Sequence, residues 1–357
     1  MNGNFRYILG IVFCLYTFVC CSQKDTAKSV TSMYNAGCKE LDSAKYKEAI
    51  IHFKKAIKVK PDYSEAYNKM AIAKLKMEDY KGAEKDLQAA LKIAPDNFES
   101  EKTLSIILYE TKRYKEAKTM MDSAIAQNFD DAELYYYQAK LIFDASTGSA
   151  QAAKGYKAAY EACNMATELK QNYVEAMVLK GEIKFAMKEY AYAIKDLSEG
   201  IKLMSAEKPI YEAYKTRAKA RFELRDYKNA VIDWNVYMEA FPKEEGALIS
   251  RAACKIETND NTGAIVDLDE AIKLNDKNPV SYNYRGVAKG ENKQFVEGLK
   301  DLDYAIKLKY NYGEAFVNRA AIKFASKDKQ GACEDLNKAD SLGDEMAIKL
   351  IETYCKH

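Results

Sequence analysis

Histidine is almost absent from this sequence of 357 residues, since it occurs only at His52 and His357. Two histidines cannot build a histidine-based catalytic triad or a multi-histidine metal cluster. The chain also contains no CxxC, no GxxxxGKS/T and no GxGxxG after a strand pattern, which excludes the common redox, nucleotide and dinucleotide motifs. We therefore predict a non-catalytic protein that needs no metal and no cofactor.

An excess of charge of one sign is also lacking. The sequence has 55 Lys and Arg residues against 53 Asp and Glu, a formal net charge of +2. No basic stripe interleaved with aromatic residues is present, which excludes the usual footprint of a nucleic-acid partner. The alternating lysines and glutamates are typical of solvated helix faces.

What the sequence does contain is a unit of about 34 residues that occurs nine times. We take residues 64–97 as the reference unit. A small residue at Ala71 aligns with a small residue in every other unit, and a second one at Ala83 does the same. The residues aligned with Ala71 are Gly37, Ser105, Ala139, Gly181, Ala218, Ala252, Gly286 and Ala320. The residues aligned with Ala83 are Ala49, Ala117, Ala159, Ala193, Ala230, Ala264, Gly298 and Ala332.

The spacing inside one unit predicts two antiparallel helices. Apolar and small residues share one face of each helix, at Tyr67, Met70, Ala71 and Leu75 in the first and at Ala83, Leu87, Ala90 and Leu91 in the second. Pro95 ends the second helix because proline has no amide hydrogen to donate. One such hairpin cannot bury both of its apolar faces, so the units must stack.

The unit resembles the tetratricopeptide repeat family, whose pattern it matches at Tyr67, Met70, Ala71, Ala83, Leu87, Ala90 and Pro95. It departs from the family at Lys74, where the family has a tyrosine, and the apolar role moves to Leu75. The resemblance implies an all-α fold, an α-solenoid of about nine stacked helix-turn-helix repeats with a C-terminal capping helix. The predicted repeats are 30–63, 64–97, 98–131, 132–173, 174–210, 211–244, 245–278, 279–312 and 313–346, within an array over 30–346.

In the family the first helices line a concave groove that binds an extended peptide or a partner helix. Carried onto this chain, the resemblance implies a protein or peptide partner at Tyr34, Asn35, Asn68, Lys102, Tyr136, Lys140, Lys215, Lys219, Asn283, Tyr284 and Asn318. The family's carboxylate clamp is not assembled, because Asn68, Lys102 and Lys140 give only part of its polar set. Tyr136 and Tyr284 are the groove tyrosines that can stack on a sugar or anchor a protein contact.

The ends of the chain break the repeat. Residues 1–20 have the layout of a lipoprotein signal peptide, with a short basic start, an apolar run and a cysteine pair. We expect Cys21 to be acylated and residues 21–29 to form a polar tether, with a plain cleaved signal or an uncleaved anchor as alternatives. Residues 347–357 are predicted to form a cap helix with a polar outer face at Lys349, Glu352 and Lys356.

Two further patterns concern charge and cysteine. Arginines at Arg217, Arg251, Arg285 and Arg319 are each followed sixteen residues later by an aspartate, at Asp233, Asp267, Asp301 and Asp335. Lys180 and Asp196 keep the same spacing, so we predict a ladder of ion pairs across the hairpins rather than charges lining a ligand groove. Cys333 and Cys355 lie on consecutive helices and can form a disulfide in an oxidising compartment, or can be two small buried residues.

Together these patterns predict a membrane-tethered, non-catalytic scaffold for protein–protein interaction. The protein is expected to be exported to a bacterial cell envelope, held there by its N-terminal lipid, and to help assemble or hold a complex. The alternative is an envelope lipoprotein that binds glycans through groove tyrosines. An aromatic cluster beside the loop at 144–155 would favour that alternative.

Overall fold

The computed structural model describes residues 28–149, 151–207 and 209–355, and these residues are helical throughout, without strands. The predicted signal peptide, the acylation site at Cys21 and most of the tether lie outside the described residues. The first helices of the nine repeats are residues 28–42 (α1), Ser64–Leu75 (α3), Phe98–Glu110 (α5), Ala132–Ser146 (α7), Val174–Ala186 (α9), Tyr211–Glu223 (α11), Glu245–Glu257 (α13), Pro279–Glu291 (α15) and Gly313–Ala325 (α17).

Each first helix packs antiparallel on the second helix of its repeat. The second helices are Tyr46–Val59 (α2), Tyr80–Ile93 (α4), Tyr114–Gln127 (α6), Ala152–Leu169 (α8), Tyr190–Leu203 (α10), Tyr227–Ala240 (α12), Asn261–Leu274 (α14), Phe295–Leu308 (α16) and Lys329–Ser341 (α18). A last helix, α19, follows at Glu345–Tyr354. The predicted α-solenoid is confirmed.

The chain divides into two compact units at the turn between repeats four and five. Unit 1 ends at Gln171 and contains repeats one to four, and unit 2 begins at Asn172 and contains repeats five to nine with α19. In unit 1 the core passes through fully buried side chains such as Leu87, Ile107 and Met121. In unit 2 the largest buried side chain is that of Trp234, which packs with Tyr237 and Leu248.

The small residues of the repeat lie where the two helices of a hairpin cross. Ala71 and Ala83 are fully buried, as their alignment predicts. Repeat eight has glycine at both positions, and here the two backbones lie in close contact. A Cβ on Gly286 would lie 2.9 Å from the carbonyl oxygen of Gly298, and a Cβ on Gly298 would lie 2.8 Å from that of Gly286. Alanine at either position would therefore push the two helices apart.

Eight of the nine hairpins described use the same tight turn. A residue other than glycine takes a left-handed conformation, with φ between +57° and +69°, at Ala44, Glu78, Lys112, Lys188, Arg225, Asn259, Lys293 and Lys327. In each turn this residue and the next donate their N–H groups back to the end of the first helix, as in Ala44 to Leu41 and Lys45 to Glu40. These bonds form a Schellman motif, which satisfies helix-end carbonyls and sends the chain straight into the second helix. Repeat four carries the insertion and instead turns through Gly148, at φ +77°.

The predicted ladder of ion pairs is present in repeats six to nine. Each arginine of the first helix makes two parallel hydrogen bonds to its aspartate; Arg251 Nε and Nη2, for example, lie 2.8 and 2.6 Å from the carboxylate oxygens of Asp267. A second cation, one helical turn after each arginine, binds the same carboxylate at 2.6–2.8 Å. These second cations are Arg221, Lys255, Lys289 and Lys323.

The ladder also connects successive repeats of unit 2. The remaining guanidinium nitrogen of each ladder arginine, Nη1, reaches the second helix of the preceding repeat at 2.6–3.0 Å. The acceptors are Ser198, Asn235, Asp269 and Asp303, in chain order. Each arginine therefore binds its own hairpin and the one before it, which fixes the stacking of neighbours.

The rung of repeat five differs, because lysine replaces arginine there. Oδ2 of Asp196 has no hydrogen-bond partner, and its carboxyl group is largely enclosed. Burial raises the pKa of Asp196, while the positive charges of Lys180 and Lys184 oppose that rise. A lysine cannot provide the two parallel bonds that an arginine makes with a carboxylate, so this rung lacks the bidentate pair of the later repeats.

The last helix, α19, packs on repeat nine through Ala347, Leu350 and Ile351. Cys333 of α18 and Cys355 are joined by a disulfide, with Cα atoms 5.8 Å apart. The expected polar outer face is only partly present. Lys349 and Glu352 are exposed, but so are Met346 and Ile348, because these two residues lie off the helix face that carries Ala347 and Leu350.

Removing a ladder carboxylate should destabilise unit 2 strongly. Asp233 has a side chain only 1% exposed and binds both Arg217 and Arg221. Asp233→Ala leaves two partly buried guanidinium groups without their anion, and we expect a loss of about 3–5 kcal/mol in the free energy of unfolding. The matched control is Asp303→Ala, since Asp303 is 60% exposed and its loss should cost no more than about 1 kcal/mol. Equal effects in chemical denaturation would contradict the ladder's role.

The disulfide should hold α19 in place. The 22-residue separation of Cys333 and Cys355 corresponds to a loop whose closure contributes about 3 kcal/mol. Reduction should therefore raise the amide exchange rate of α19 by about two orders of magnitude, with α13 as the unchanged internal reference. Cys355→Ser should reproduce the effect without reductant. Unchanged exchange in the reduced protein would show that apolar packing alone holds the helix.

Candidate functional site

The predicted groove residues of repeat one differ in accessibility. The ring of Tyr34 packs between Phe53 and Tyr63, with ring centroids 5.9 and 5.1 Å away, and burial raises the pKa of its hydroxyl. Tyr34 is thus mainly a packing residue. Asn35 is exposed and lines a shallow depression with Lys28, Thr31 and Ser32.

Asn68 does not line accessible surface, contrary to the prediction. Its side chain is buried, and Nδ2 donates to Oγ of Ser100 at 3.1 Å. The position points into the interface between α3 and α5 because neighbouring first helices pack directly on each other. Repeat-to-repeat packing, not ligand contact, therefore uses this amide.

The predicted lysines of unit 1 are engaged by other residues of unit 1. Lys102 Nζ lies 2.7 Å from Asp131 and 2.8 Å from Glu133. Burial alone would lower the pKa of Lys102, but these two carboxylates raise it. The ammonium group of Lys140 lies 5.7 Å from the ring centroid of Tyr136. It lies closer to two other tyrosine rings, one of which is that of Tyr109 at 4.8 Å. Each lysine would have to give up these interactions to bind an anionic ligand.

In unit 2, Lys215 is similarly engaged. Its ammonium group donates to Tyr237 Oη at 3.2 Å and lies 3.1 Å from Glu244. Burial would lower the pKa of Lys215, and the bonds to Tyr237 and Glu244 raise it overall. Tyr237 in turn donates a short hydrogen bond to Glu244. This cluster holds the turn between repeats six and seven.

Lys219, one helical turn further along α11, is different. It makes no hydrogen bond and no ion pair with any residue in the described part of the chain. Partial desolvation lowers the pKa of Lys219, and the positive charge of Lys215 lowers it further. A carboxylate placed beside Lys219 would oppose both effects, so among the predicted groove lysines this is the one best suited to an external anion.

Asn283 is a second correction to the predicted groove. It is fully buried, and Nδ2 donates to Glu314 at 3.1 Å and to Tyr312 at 3.3 Å. Its oxygen accepts from Asn318 Nδ2 at 3.0 Å. This network joins α15 to α17, so Asn283 and Asn318 serve stacking between repeats eight and nine.

An apolar cavity of about 330 Å³ opens among the first helices of repeats five to eight. Phe185 of α9, Phe222 of α11, Ile249 of α13 and Val280 of α15 form apolar walls, and Trp234 of α12 lies beneath them. The polar groups at the cavity are those of Lys219, Glu223, Ser250 and Tyr284. A mostly apolar hollow with a few convergent polar groups is the usual form of a binding site.

Of the predicted groove residues, only Lys219 and Tyr284 line this cavity. The sequence prediction missed its apolar walls, because Phe185 and Phe222 stand at a position that reads as ordinary hairpin packing. One signal was available: Trp234 is the single tryptophan of the chain. Burial raises the pKa of the Tyr284 hydroxyl, with smaller effects from Glu314 and Glu257, so this group is a neutral hydrogen-bond donor.

A larger depression of about 570 Å³ lies beside α14, lined in part by Arg251, Asp267 and Asp269. These are ladder residues, already bound to one another or to neighbouring repeats. The polar groups of this depression are therefore not available to a ligand. The apolar cavity is the better candidate because its cation, Lys219, has no such internal ion pair among the described residues.

Two other classes of site are missing from the described residues. They contain no group of three or more His, Cys, Asp or Glu side chains arranged to hold a metal ion. None of the described helices combines the length and the apolar character needed to cross a membrane.

An aromatic pair does lie beside the insertion of repeat four, where a cluster would favour glycan binding. The rings of Phe143 and Tyr156 are 5.4 Å apart. The same pairing joins Phe185 to Tyr190 and Phe222 to Tyr227 in the later repeats. The pair is therefore the regular packing contact of the hairpin.

Comparison with known proteins agrees with this architecture. Tetratricopeptide repeat family models match residues 30–63 and residues 74–141. The chain therefore contains tetratricopeptide repeats. Tetratricopeptide proteins are in general non-catalytic scaffolds for protein–protein interaction.

Several solved structures share the tetratricopeptide fold at low identity. Pseudomonas aeruginosa pilF is 16% identical with a TM-score of 0.53, over 62% of this chain and 96% of its own. A tetratricopeptide repeat protein from Parabacteroides merdae ATCC 43184 is 17% identical with a TM-score of 0.45, over 82% and 99%. YrrB, described as having an unusual peptide-binding site, is 16% identical with a TM-score of 0.44, over 54% and 99%. These likenesses concern the fold alone, and no curated protein sequence matches significantly.

The environment of Lys219 gives a direct test of the site's electrostatics. Lys215→Met removes the neighbouring positive charge and leaves Glu212 and Glu244, whose charges already act to raise the pKa of Lys219. We therefore expect the pKa of Lys219 to rise in this variant, as followed by NMR of the lysine side chains. The control is Lys228→Met, on the outer face of α12, which should leave the pKa of Lys219 unchanged. A fall in the pKa of Lys219 would contradict the arrangement described.

Proposed function

We propose that this tetratricopeptide protein is a membrane-tethered scaffold of a bacterial cell envelope, which binds a segment of a partner protein in the apolar cavity of unit 2. The observation that carries the proposal is the cavity itself, which four successive first helices build. A bound segment can therefore contact several repeats at once, and binding would depend on their regular stacking.

The cavity lining defines the chemistry of the bound segment. Its apolar walls, at Phe185, Phe222 and Ile249, suit one bulky apolar side chain, whose burial contributes about 1.5–3 kcal/mol. The unpaired ammonium group of Lys219 suits a carboxylate close to that side chain. The proposed partner segment thus carries an aromatic or large aliphatic residue next to an acidic residue.

The tether rests on the sequence of the N-terminal region. A lipid at Cys21 would hold the scaffold at the membrane and raise its effective concentration near membrane partners. The disulfide between Cys333 and Cys355 is consistent with export, because disulfides persist in oxidising compartments and are rare in the cytosol.

The proposal can be tested by crosslinking in the host. A photo-reactive residue at Ser250 lies in the cavity, and one at Lys228 lies on the outer face of α12. We expect an adduct from Ser250 alone, whose crosslinked segment contains an apolar residue beside an acidic one. The adduct should be lost with Cys21→Ala if the lipid brings the partner within reach.

Affinity for the identified peptide provides the second readout. Lys219→Glu reverses the charge beside the cavity and should weaken binding about tenfold or more, whereas Lys228→Glu should leave it unchanged. Ala253→Trp, which fills the cavity, should abolish binding. A segment without an apolar anchor, or equal effects of Lys219→Glu and Lys228→Glu, would refute the proposed site. Unchanged crosslinking in the Cys21→Ala protein would refute the tether alone.

A further inference from the structure

The second helices of the nine repeats differ systematically in charge. α2 carries four lysines against one glutamate, a net charge of +3, and lysines also stand at both of its ends, at Lys45 and Lys60. α4 has a net charge of +1, and α6, α8 and α10 are neutral. α12, α16 and α18 each carry −1 and α14 carries −2. In a chain whose net charge is only +2, positive charge is thus concentrated on repeat one.

The lysines of α2 form one outward face around an exposed aliphatic side chain. Ile51 is 53% exposed. Four lysines lie at i−4, i+3, i+4 and i+7 from it, the positions that share one helix face. They are Lys47, Lys54, Lys55 and Lys58, all of them exposed, and none makes an ion pair within the described part of the chain. The single acidic residue, Glu48, lies at the edge of this face.

A binding partner could stabilise both the positive charge of these lysines and the exposed side chain of Ile51. Lysines left without carboxylates repel one another along the helix, and an exposed isoleucine gains by leaving water. Lys118 of α6 shows the alternative arrangement, in which an exposed lysine has an acid in its own helix, Asp122 at 2.5 Å. Val59, 42% exposed, extends the apolar strip toward the end of α2.

We propose that this face of α2 lies against an anionic lipid surface. Lysine ammonium groups would bind lipid phosphates, while Ile51 and the lysine methylene chains enter the boundary between headgroups and acyl chains. A nucleic acid fits less well, because the aromatic rings of α2 do not stand on this face: Phe53 is fully buried and Tyr46 is half-buried.

This inference rests on the proposed tether, because the tether is what would place repeat one near the membrane. Six residues lie between Cys21 and Lys28, where the described part of α1 begins, and the seven residue-to-residue steps of an extended chain span at most about 25 Å. A lipid on Cys21 would therefore keep repeat one close to the bilayer. The acidic second helices α12 to α18 would be repelled by the same surface, so the charge pattern selects which repeat contacts the membrane.

The test compares binding to two kinds of vesicle. The apolar N-terminal region contributes equally to binding of both, so its contribution drops out of the comparison. The full chain carrying Cys21→Ala, which cannot be acylated, is partitioned onto phosphatidylcholine vesicles with and without phosphatidylglycerol. The ratio of the two partition coefficients reports the electrostatic contribution. Replacing Lys54, Lys55 and Lys58 by glutamine preserves helix propensity and should lower this ratio roughly a hundredfold, at about tenfold per 1.4 kcal/mol and near 1 kcal/mol per lysine.

The matched control replaces three lysines on second helices of unit 2 by glutamine, at Lys202, Lys300 and Lys307. It should leave the ratio within about threefold of its original value. Raising the salt from about 0.1 M to 1 M should abolish the preference for anionic vesicles. A ratio near one for the Cys21→Ala protein, or an equal fall in the control, would overturn the proposal. Because Cys21 is replaced in every protein compared, these outcomes do not depend on lipidation, which mass spectrometry of the native protein tests separately.

Discussion

Unit 2 depends on one arrangement above all, an aspartate of the second helix held between two cations of the first. The cations stand one helical turn apart, so both reach the same carboxylate. In repeat seven these are Arg251 and Lys255 around Asp267. Because the arginine also reaches Asn235 of the preceding repeat, the arrangement fixes both the hairpin and its neighbour. Charge pairing is costly to bury, and here every charge is multiply bonded.

The pairing of charges within the protein also determines which polar groups of the groove are available to a ligand. Lysines that align with ligand-contacting positions are mostly engaged with nearby acids or tyrosine rings, as Lys102 and Lys215 are. In the proposed function, recognition therefore falls to the apolar cavity over Trp234, with Lys219 as its available cation. Specificity would then rest on shape and a single charge, in contrast to the several cations of the family's carboxylate clamp.

Repeat one has no carboxylate at the position of the ladder aspartates. The residue that aligns with the ladder aspartates is His52 in α2, and Asp86 in α4 is the first carboxylate at this place. Repeat one also lacks both ladder cations, since Ala36 and Glu40 stand where later repeats have Arg217 and Arg221. Its basic residues lie in α2 instead, where Lys54 and Lys55 among others are exposed.

The sequence by itself determined the period, the helical hairpins and the ion pairs sixteen residues apart, because those features arise within one repeat, where helix geometry fixes which side chains meet. Only the tertiary structure decided what lies between repeats. Asn68 and Asn283 occupy groove positions by alignment, yet adjacent first helices pack closely enough to bury them. The cavity joins residues as distant as Phe185 and Tyr284, and its existence depends on how successive helices cross. Sequence spacing does not encode that crossing.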